Sequence, residues 1–247
     1  MSRTSTLLLR LAAPMQSWGS ARGKFDHRPT EAEPTRSGII GMIAGALGFE
    51  REDSLDVFEK LKIGVRIDQR GEQTRDFHMV HQYNAKTKRK ESSWVTYRYY
   101  LCDAVFLVGI EGEEPFVQEI MKALQFPVYP IYLGRRSCPP EGNLVLGIRT
   151  GLGLQQALVK EPWIAQEWYK QKMRKKSPIF LEIVRDTMEA EAETYTMRDN
   201  PVSFSQEHRK HKIREVFRDR KAVKICDPQD SLKSIAEIQT NHDPLDF

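Results

Sequence analysis

The sequence predicts an α+β protein built on an antiparallel sheet, and three observations carry that prediction. Residues 34–48, PTRSGIIGMIAGALG, read as a helix set between two strand-like runs. Leu61, Ile63, Val65 and Ile67 alternate with Lys62, Gly64 and Arg66, the period-two signature of a strand with one wet face. Residues 103–110, DAVFLVGI, read as a further strand and lead into Phe116, Val117, Ile120, Met121 and Leu124, the spacing of an amphipathic helix. With a hairpin between the second and third strands and one more strand to follow, the order is the βαββαβ pattern of a ferredoxin-like fold. Two helices then cover one face of the sheet, and the other face is left for a ligand.

The first element is residues 6–13, TLLLRLAA, an apolar run ended by Pro14. Residues 15–35 are polar and rich in Gly, Pro and Arg, with Gln16, Ser17, Trp18 and Gly19 followed by Arg22, Lys24 and Arg28. Two readings stand for Trp18: a ring that stacks on a base among cations, or a plug of the core. In the helix, Thr35 or Ser37 caps the first free amides. Gly38, Gly41, Gly45 and Gly48 fall on one face, although glycine costs roughly 1 kcal/mol inside a helix relative to alanine. Close packing of Gly41, Gly45 and Gly48 on the sheet explains that face, and the exposed amides at Thr35, Arg36, Ser37 and Gly38 suit an anion such as phosphate. Residues 54–61 read as a helical turn or two.

Residues 76–81 and 95–101 are β-like runs flanking QYNAKTKRKESS, whose cations include Lys86, Lys88 and Arg89. This tip has no apolar face to bury, so it is a solvated excursion or an arm that orders on a partner. His78, His81, Tyr83, Trp94, Tyr97, Arg98, Tyr99 and Tyr100 on its flanks interleave rings with cations, which favours the arm. Residues 127–140 turn irregular, and Gly134, Arg135, Arg136 and Ser137 either place amides and guanidinium forks on a phosphate or bridge internal carboxylates. Residues 144–150 and 179–184 read as strands, 163–176 as a lysine-rich helix or loop, and 215–225 as a strand in the most basic window. The domain reading is therefore 1–130 for the main domain, 131–226 for a smaller β-rich unit, and 227–247 for a loosely ordered tail.

Composition narrows the function. Three cysteines, Cys102, Cys138 and Cys226, are too few and too dispersed for a disulfide framework or a zinc site. Residues 2–10 lack the pattern of a secretory signal, and the longest apolar stretch, around 38–49, is too short to cross a bilayer, so a cytoplasmic protein without membrane contact is expected. The net charge of +4 is modest but clustered, which points to polyanion binding by patches. No cofactor and no metal ligand set is expected; His208 and His211 sit among cations without an acidic or cysteine ligand.

Five blocks in order carry a resemblance: LRLAAPMQSWG at 9–19, PTRSGIIGMIAGALG at 34–48, RDFH at 75–78, YLCDAVF at 100–106 and YLGRRSCPP at 132–140. The chain resembles the CasD-type subunits of the CRISPR-associated Cascade surveillance complex, subtype I-E, in the repeat-associated mysterious protein (RAMP) superfamily. The resemblance is specific from residue 9 to about 140 and loose beyond. It implies an RRM-like domain whose hairpin, about residues 75–100, is a thumb. It also implies a non-catalytic subunit that binds the 5′ handle of the CRISPR RNA, caps the backbone filament beside the backbone and large subunits, and meets target DNA through the complex. The thumb is associated with displacing a base at the handle and spacer junction.

The candidate RNA-contacting set is thus Ser17, Trp18 and Arg28; Thr35, Arg36, Ser37 and Gly38; Arg75, His78, Lys86, Lys88, Arg89, Tyr97 and Arg98; and Gly134, Arg135, Arg136 and Ser137. No catalytic residue is assigned. The rival is a metal-independent endoribonuclease, for which His78, His81, Tyr83 or Lys86 would supply the base and the donor. His78 and His81 are three apart in a strand and so face opposite ways, which weakens that rival. A third class is an architectural protein that binds nucleic acid without preference.

Overall fold

A computed structural model describes residues 4–19, 23, 26–176, 178–187 and 193–225. The expected loose tail, 227–247, lies outside the described residues. The chain runs β1 (Thr4–Ala12), β2 (Met15–Gln16), β3 (His27–Arg28), α1 (Arg36–Leu47), β4 (Lys62–Gln69), β5 (Glu72–Tyr83), β6 (Lys90–Cys102), β7 (Val105–Glu113) and α2 (Glu114–Gln125). It continues through β8 (Val145–Thr150), α3 (Leu154–Lys160), α4 (Glu167–Met173), β9 (Ile179–Asp186), β10 (Thr194–Ser203) and β11 (Lys210–Ile225). Residues 54–61 supply only a 3-10 turn, Asp56–Phe58, instead of a longer helical segment.

The fold is mixed α+β. A seven-stranded sheet has the order β10-β11-β9-β4-β7-β1-β8, with every pairing antiparallel. β1 lies between β7 and β8, and Leu7, Leu8, Leu9 and Leu11 are fully buried. A strand covered on both faces has no polar alternation, which is why residues 6–13 read as a continuous apolar run. On one face, α1 and α2 pack Ile39, Ile43, Val117 and Ile120 against Leu9, Ile63, Val65, Phe106 and Val108.

The other face is not left open, contrary to the expectation of a free ligand surface. There Leu154, Ala157 and Leu158 of α3 bury Leu8, Leu107 and Ile183. Gly64 and Gly109 make room, since a Cβ on either would lie 2.8 Å and 2.7 Å from leucine methyls of α3. The ends of this short helix are held by opposite charges. The Glu111 carboxylate accepts from the Leu154 N–H at 2.6 Å, and Arg66 donates to the carbonyls of Leu158, Glu161 and Pro162. Both match the helix dipole, whose amino end is positive and whose carboxyl end is negative.

The C-terminal strands do not form a separate unit. β8 follows residue 130 and pairs with β1, while β9 pairs with β4 through Gly64↔Arg185 to Ile67↔Glu182. β5 and β6 form the long hairpin, Glu72↔Cys102 to Tyr83↔Lys90. The free edge of β6 is covered at its base by β2 and β3, the latter in parallel. No helix among the described residues is long and apolar enough to cross a membrane.

The helix expected at 34–48 is present, with Thr35 as N-cap and Gly48 as a left-handed C-cap at φ 87°. The role assigned to its glycines is corrected. Gly41 faces the Phe204 ring, and a Cβ on Gly45 would have no atom within 4 Å, so neither touches the sheet.

Candidate nucleic-acid interface

The hairpin tip is built by Asn84, whose side-chain oxygen accepts from the N–H groups of Lys86 and Thr87 at 2.9 Å each. Lys88 takes the left-handed conformation, φ 55°, and its N–H donates to the Asn84 carbonyl. Lys86, Lys88 and Arg89 are exposed there. On the stem, alternation places Arg75, Phe77, Met79, Val95 and Tyr97 on one face and Asp76, His78, Thr96 and Arg98 on the other. Phe77 is 64% exposed and Met79 55%, although both are large and apolar. Arg75 lies over the Tyr97 ring at 5.0 Å. His78 pairs with Asp76 at 2.7 Å, whereas His81 meets Ser93 on the opposite face.

At the base of the stem three arginines converge. β3 sets Arg28 beside Arg98 in register. Arg135 lies over the Tyr100 ring at 4.6 Å, on the β6 face that carries Arg98, and donates from Nη2 to the Arg28 carbonyl at 3.0 Å. Arg98 Nε and Arg135 Nη1 are buried donors without a partner among the described residues. A buried unpaired donor is expensive, more so on a cation, so an anion that reaches both is favoured by the desolvation already suffered. Arg136 and Ser137 are exposed on the same loop. The loop is fixed by Leu133, whose carbonyl accepts from the Ser17 N–H at 3.1 Å, and by Gly134 at φ 86°. A Cβ on Gly134 would sit 1.5 Å from the Ser17 carbonyl oxygen, so only glycine fits.

Elsewhere the structure departs from the sequence reading. Trp18 is fully buried, the core plug and not an exposed stacking platform; its indole N–H donates to Gln16 Oε1. Its ring is why Gly38 has no side chain, since a Cβ there would lie 2.9 Å from Trp18 Cε3. Ser17 is buried too, with its hydroxyl donating to the Tyr99 carbonyl. The helix start expected to hold a phosphate is filled by the chain itself. Thr35 Oγ1 accepts from the Gly38 N–H, and Asp199 accepts from the Arg36 N–H at 2.7 Å. The Arg36 guanidinium is buried and donates to Asp186, Asn200 and the carbonyls of Phe58 and Leu61. Burial pushes its pKa down, and Asp186 opposes that shift. Ser37 is half-buried and meets Thr35 at 3.4 Å.

The basic C-terminal window is likewise partly internal. Arg214 binds Asp186 and Asp199, and Arg218 binds Glu33 and Glu182. Sequence reasoning missed His27, whose ring lies 5.0 Å from Tyr99 and 6.4 Å from Tyr97; its signal was only its place beside Arg28 in the cationic loop. Among the described residues no group of three His, Cys, Asp or Glu side chains is arranged to hold a metal ion.

The family CRISPR-associated protein (Cas_Cas5) matches residues 6–217. The chain is 34% identical over 183 residues to the CRISPR system Cascade subunit CasD of Escherichia coli (strain K12), covering 68% of this chain and 81% of that one. It is similar to a chain of a solved CRISPR RNA-guided surveillance complex, with a TM-score of 0.71, 30% identity, and 95% and 99% of the two chains covered. A solved Cas protein matches with a TM-score of 0.62 at 33% identity over 88% of this chain and 97% of that one. With the match running from the first strand into the last, the chain belongs to the CRISPR-associated Cas_Cas5 family.

Proposed function

We propose that this chain is a Cascade subunit that grips the 5′ handle of the CRISPR RNA without cutting it and caps the backbone filament. The observation that carries this reading is the convergence of Arg28, Arg98 and Arg135 at the base of an exposed aromatic and cationic hairpin. The unpaired donors of Arg98 and Arg135 meet phosphates, and on the other face of the stem the rings of Tyr97, Tyr99 and His27 offer faces for unstacked bases. The order β4-β7-β1-β8, with α1 and α2 on one face, supports a ferredoxin-like, RRM-like reading of the first part, with residues 72–102 as its thumb. Because α3 covers the far face, RNA is met at the thumb and its base and not across the sheet. Lys86, Lys88 and Arg89 then clamp backbone from the tip, and Arg75, His78, Gly134, Arg136 and Ser137 complete the contact surface.

The test is binding of handle RNA against a scrambled handle of equal length at matched salt, since the charge contribution alone is blind to sequence. Tighter binding of the true handle, lost in Arg98→Ala plus Arg135→Ala, is expected; equal affinity for both RNAs sinks the handle reading. The rival endoribonuclease rests on the exposed His78–Asp76 pair, a histidine held by a carboxylate. Incubation of the chain with labelled repeat RNA in EDTA separates the two. Intact RNA is expected, and cleavage abolished by His78→Ala overturns the non-catalytic assignment.

A further inference from the structure

Arg28, Arg98 and Arg135 reach the base of the stem on three separate segments, and the tripeptide Gln16-Ser17-Trp18 is hydrogen-bonded to each of them. The Ser17 N–H donates to the Leu133 carbonyl at 3.1 Å, and Gly134 packs against the Ser17 carbonyl, which ties in the Arg135 loop. The ladder pair Gln16↔Leu101 and the Ser17 hydroxyl, which donates to the Tyr99 carbonyl at 3.2 Å, tie in the strand beside Arg98. Thr30 ties in the Arg28 segment: its Oγ1 accepts from the Trp18 N–H at 2.8 Å, and the Glu31 N–H donates to the Trp18 carbonyl at 3.0 Å.

The tripeptide is itself anchored in the core. Gln16 Nε2 donates to the Ala104 carbonyl at 2.7 Å, while Gln16 Oε1 accepts from the Trp18 indole N–H at 3.2 Å. The Trp18 ring is fully buried and lies against α1 at Gly38. Gln16, Ser17 and Thr30 are buried as well, so their polar groups face the chain and not a ligand.

We infer that Ser17 and Thr30 are positioning residues of the anion site, which touch no RNA and act through the arginines they set in place. Like charges brought together repel, and the buried donors Arg98 Nε and Arg135 Nη1 have no acceptor of their own among the described residues. Segments free to move would therefore let the guanidinium groups draw apart. Two buried hydroxyls bonded to backbone groups hold the three segments in register before the ligand arrives, so binding no longer has to order them. The inference rests on the handle reading only for the identity of the anion.

The test is a double-mutant cycle on the full chain, read as affinity for handle RNA at one salt concentration. Ser17→Ala is expected to weaken binding about fivefold, the equivalent of one hydrogen bond. In the Arg135→Ala chain the same substitution is expected to cost less than about twofold, because the arginine it positions is gone. In the Lys86→Ala chain, altered only at the hairpin tip, it is expected to cost about fivefold again. Thr30→Val keeps the shape, loses the hydroxyl and is expected to weaken binding by about the same factor, whereas Thr30→Ser keeps the hydroxyl and is expected to stay within about twofold of wild type. The inference is overturned by a Ser17→Ala loss that is equal with and without Arg135, by Thr30→Ser binding as weakly as Thr30→Val, or by wild-type affinity in both Ser17→Ala and Thr30→Val. Should Ser17→Ala not fold, the Thr30 pair decides alone. The cycle is repeated with a scrambled handle of equal length. If both RNAs bind equally and the Ser17→Ala loss still vanishes without Arg135, the handle reading falls and the positioning role stands. If the true handle is preferred and the loss persists without Arg135, the positioning role falls and the handle reading stands.

Discussion

The Arg36 N–H donates to the Asp199 carboxylate at 2.7 Å, across 163 residues of chain. The positive end of α1 is thus neutralised by a carboxylate from β10, and the same carboxylate holds Arg214 through two bonds. Asp199→Ala should destabilise the protein by about 1–3 kcal/mol, because the Arg36 N–H loses its acceptor and the buried Arg214 guanidinium keeps only Asp186 of its two carboxylates. Urea unfolding checks this. Handle RNA affinity of the folded fraction should remain, in contrast to Arg98→Ala plus Arg135→Ala.

Arg66 and Asp68 are both fully inaccessible and bonded at 2.7 Å. Burial pushes the Asp68 carboxyl pKa up, and the Arg66 bonds oppose that shift. Arg66→Met should lower stability by about 3–5 kcal/mol, since it strands the carboxylate and frees three carbonyls at the end of α3. Arg66→Met with Asp68→Leu should recover part of that loss in the same denaturation experiment.

Gly134→Ala should fail for a local reason. The new Cβ would fall on the Ser17 carbonyl oxygen, and φ 86° is unfavourable for alanine. A loss of about 1–3 kcal/mol is expected, with weaker handle binding because Arg135 rides on the displaced loop. Arg136→Ala, on the exposed side of that loop, should weaken RNA binding without moving the thermal midpoint.

Burial pushes the His211 imidazole pKa below its ordinary 6.5, with Arg209 and Arg198 adding to the shift and Asp199 opposing it. The folded chain then binds fewer protons at this site than the unfolded chain, so stability rises with pH across the interval. The contribution is complete above 6.5 and is lost as pH falls through 6.5 towards the folded value. His211→Gln should flatten the stability profile between neutral pH and that interval, as read by urea midpoints.

Local chemistry made much of the fold legible. The buried strand at 6–13, the capped helix and the hairpin with its cationic tip each announce themselves within a dozen residues. What stayed hidden depended on distant partners. Arg36 beside a helix start reads as a phosphate ligand until Asp186 and Asp199 arrive from strands 150 and 163 residues away. α3 spans seven residues with Leu154, Ala157 and Leu158 as its only buried positions, too brief a period to recognise. β10 carries Pro201, which is tolerated because the strand lies at the sheet edge. Of the site, the hairpin and the Arg135 loop were visible as cation-rich loops. Their meeting at Arg28 and Arg98 required the β3–β6 pairing, which no spacing encodes.

The pairing of β4 with β9 also governs how the chain must be made. Gly64 finds Arg185, 121 positions further along the chain, only after that stretch has been synthesised, so β4 waits with one edge unsatisfied while the ribosome proceeds. A chain halted before Ile179 would present that edge, with its apolar face, to any neighbouring strand. Translation that stalls in the lysine-rich stretch just upstream would therefore yield aggregates and not a smaller working subunit.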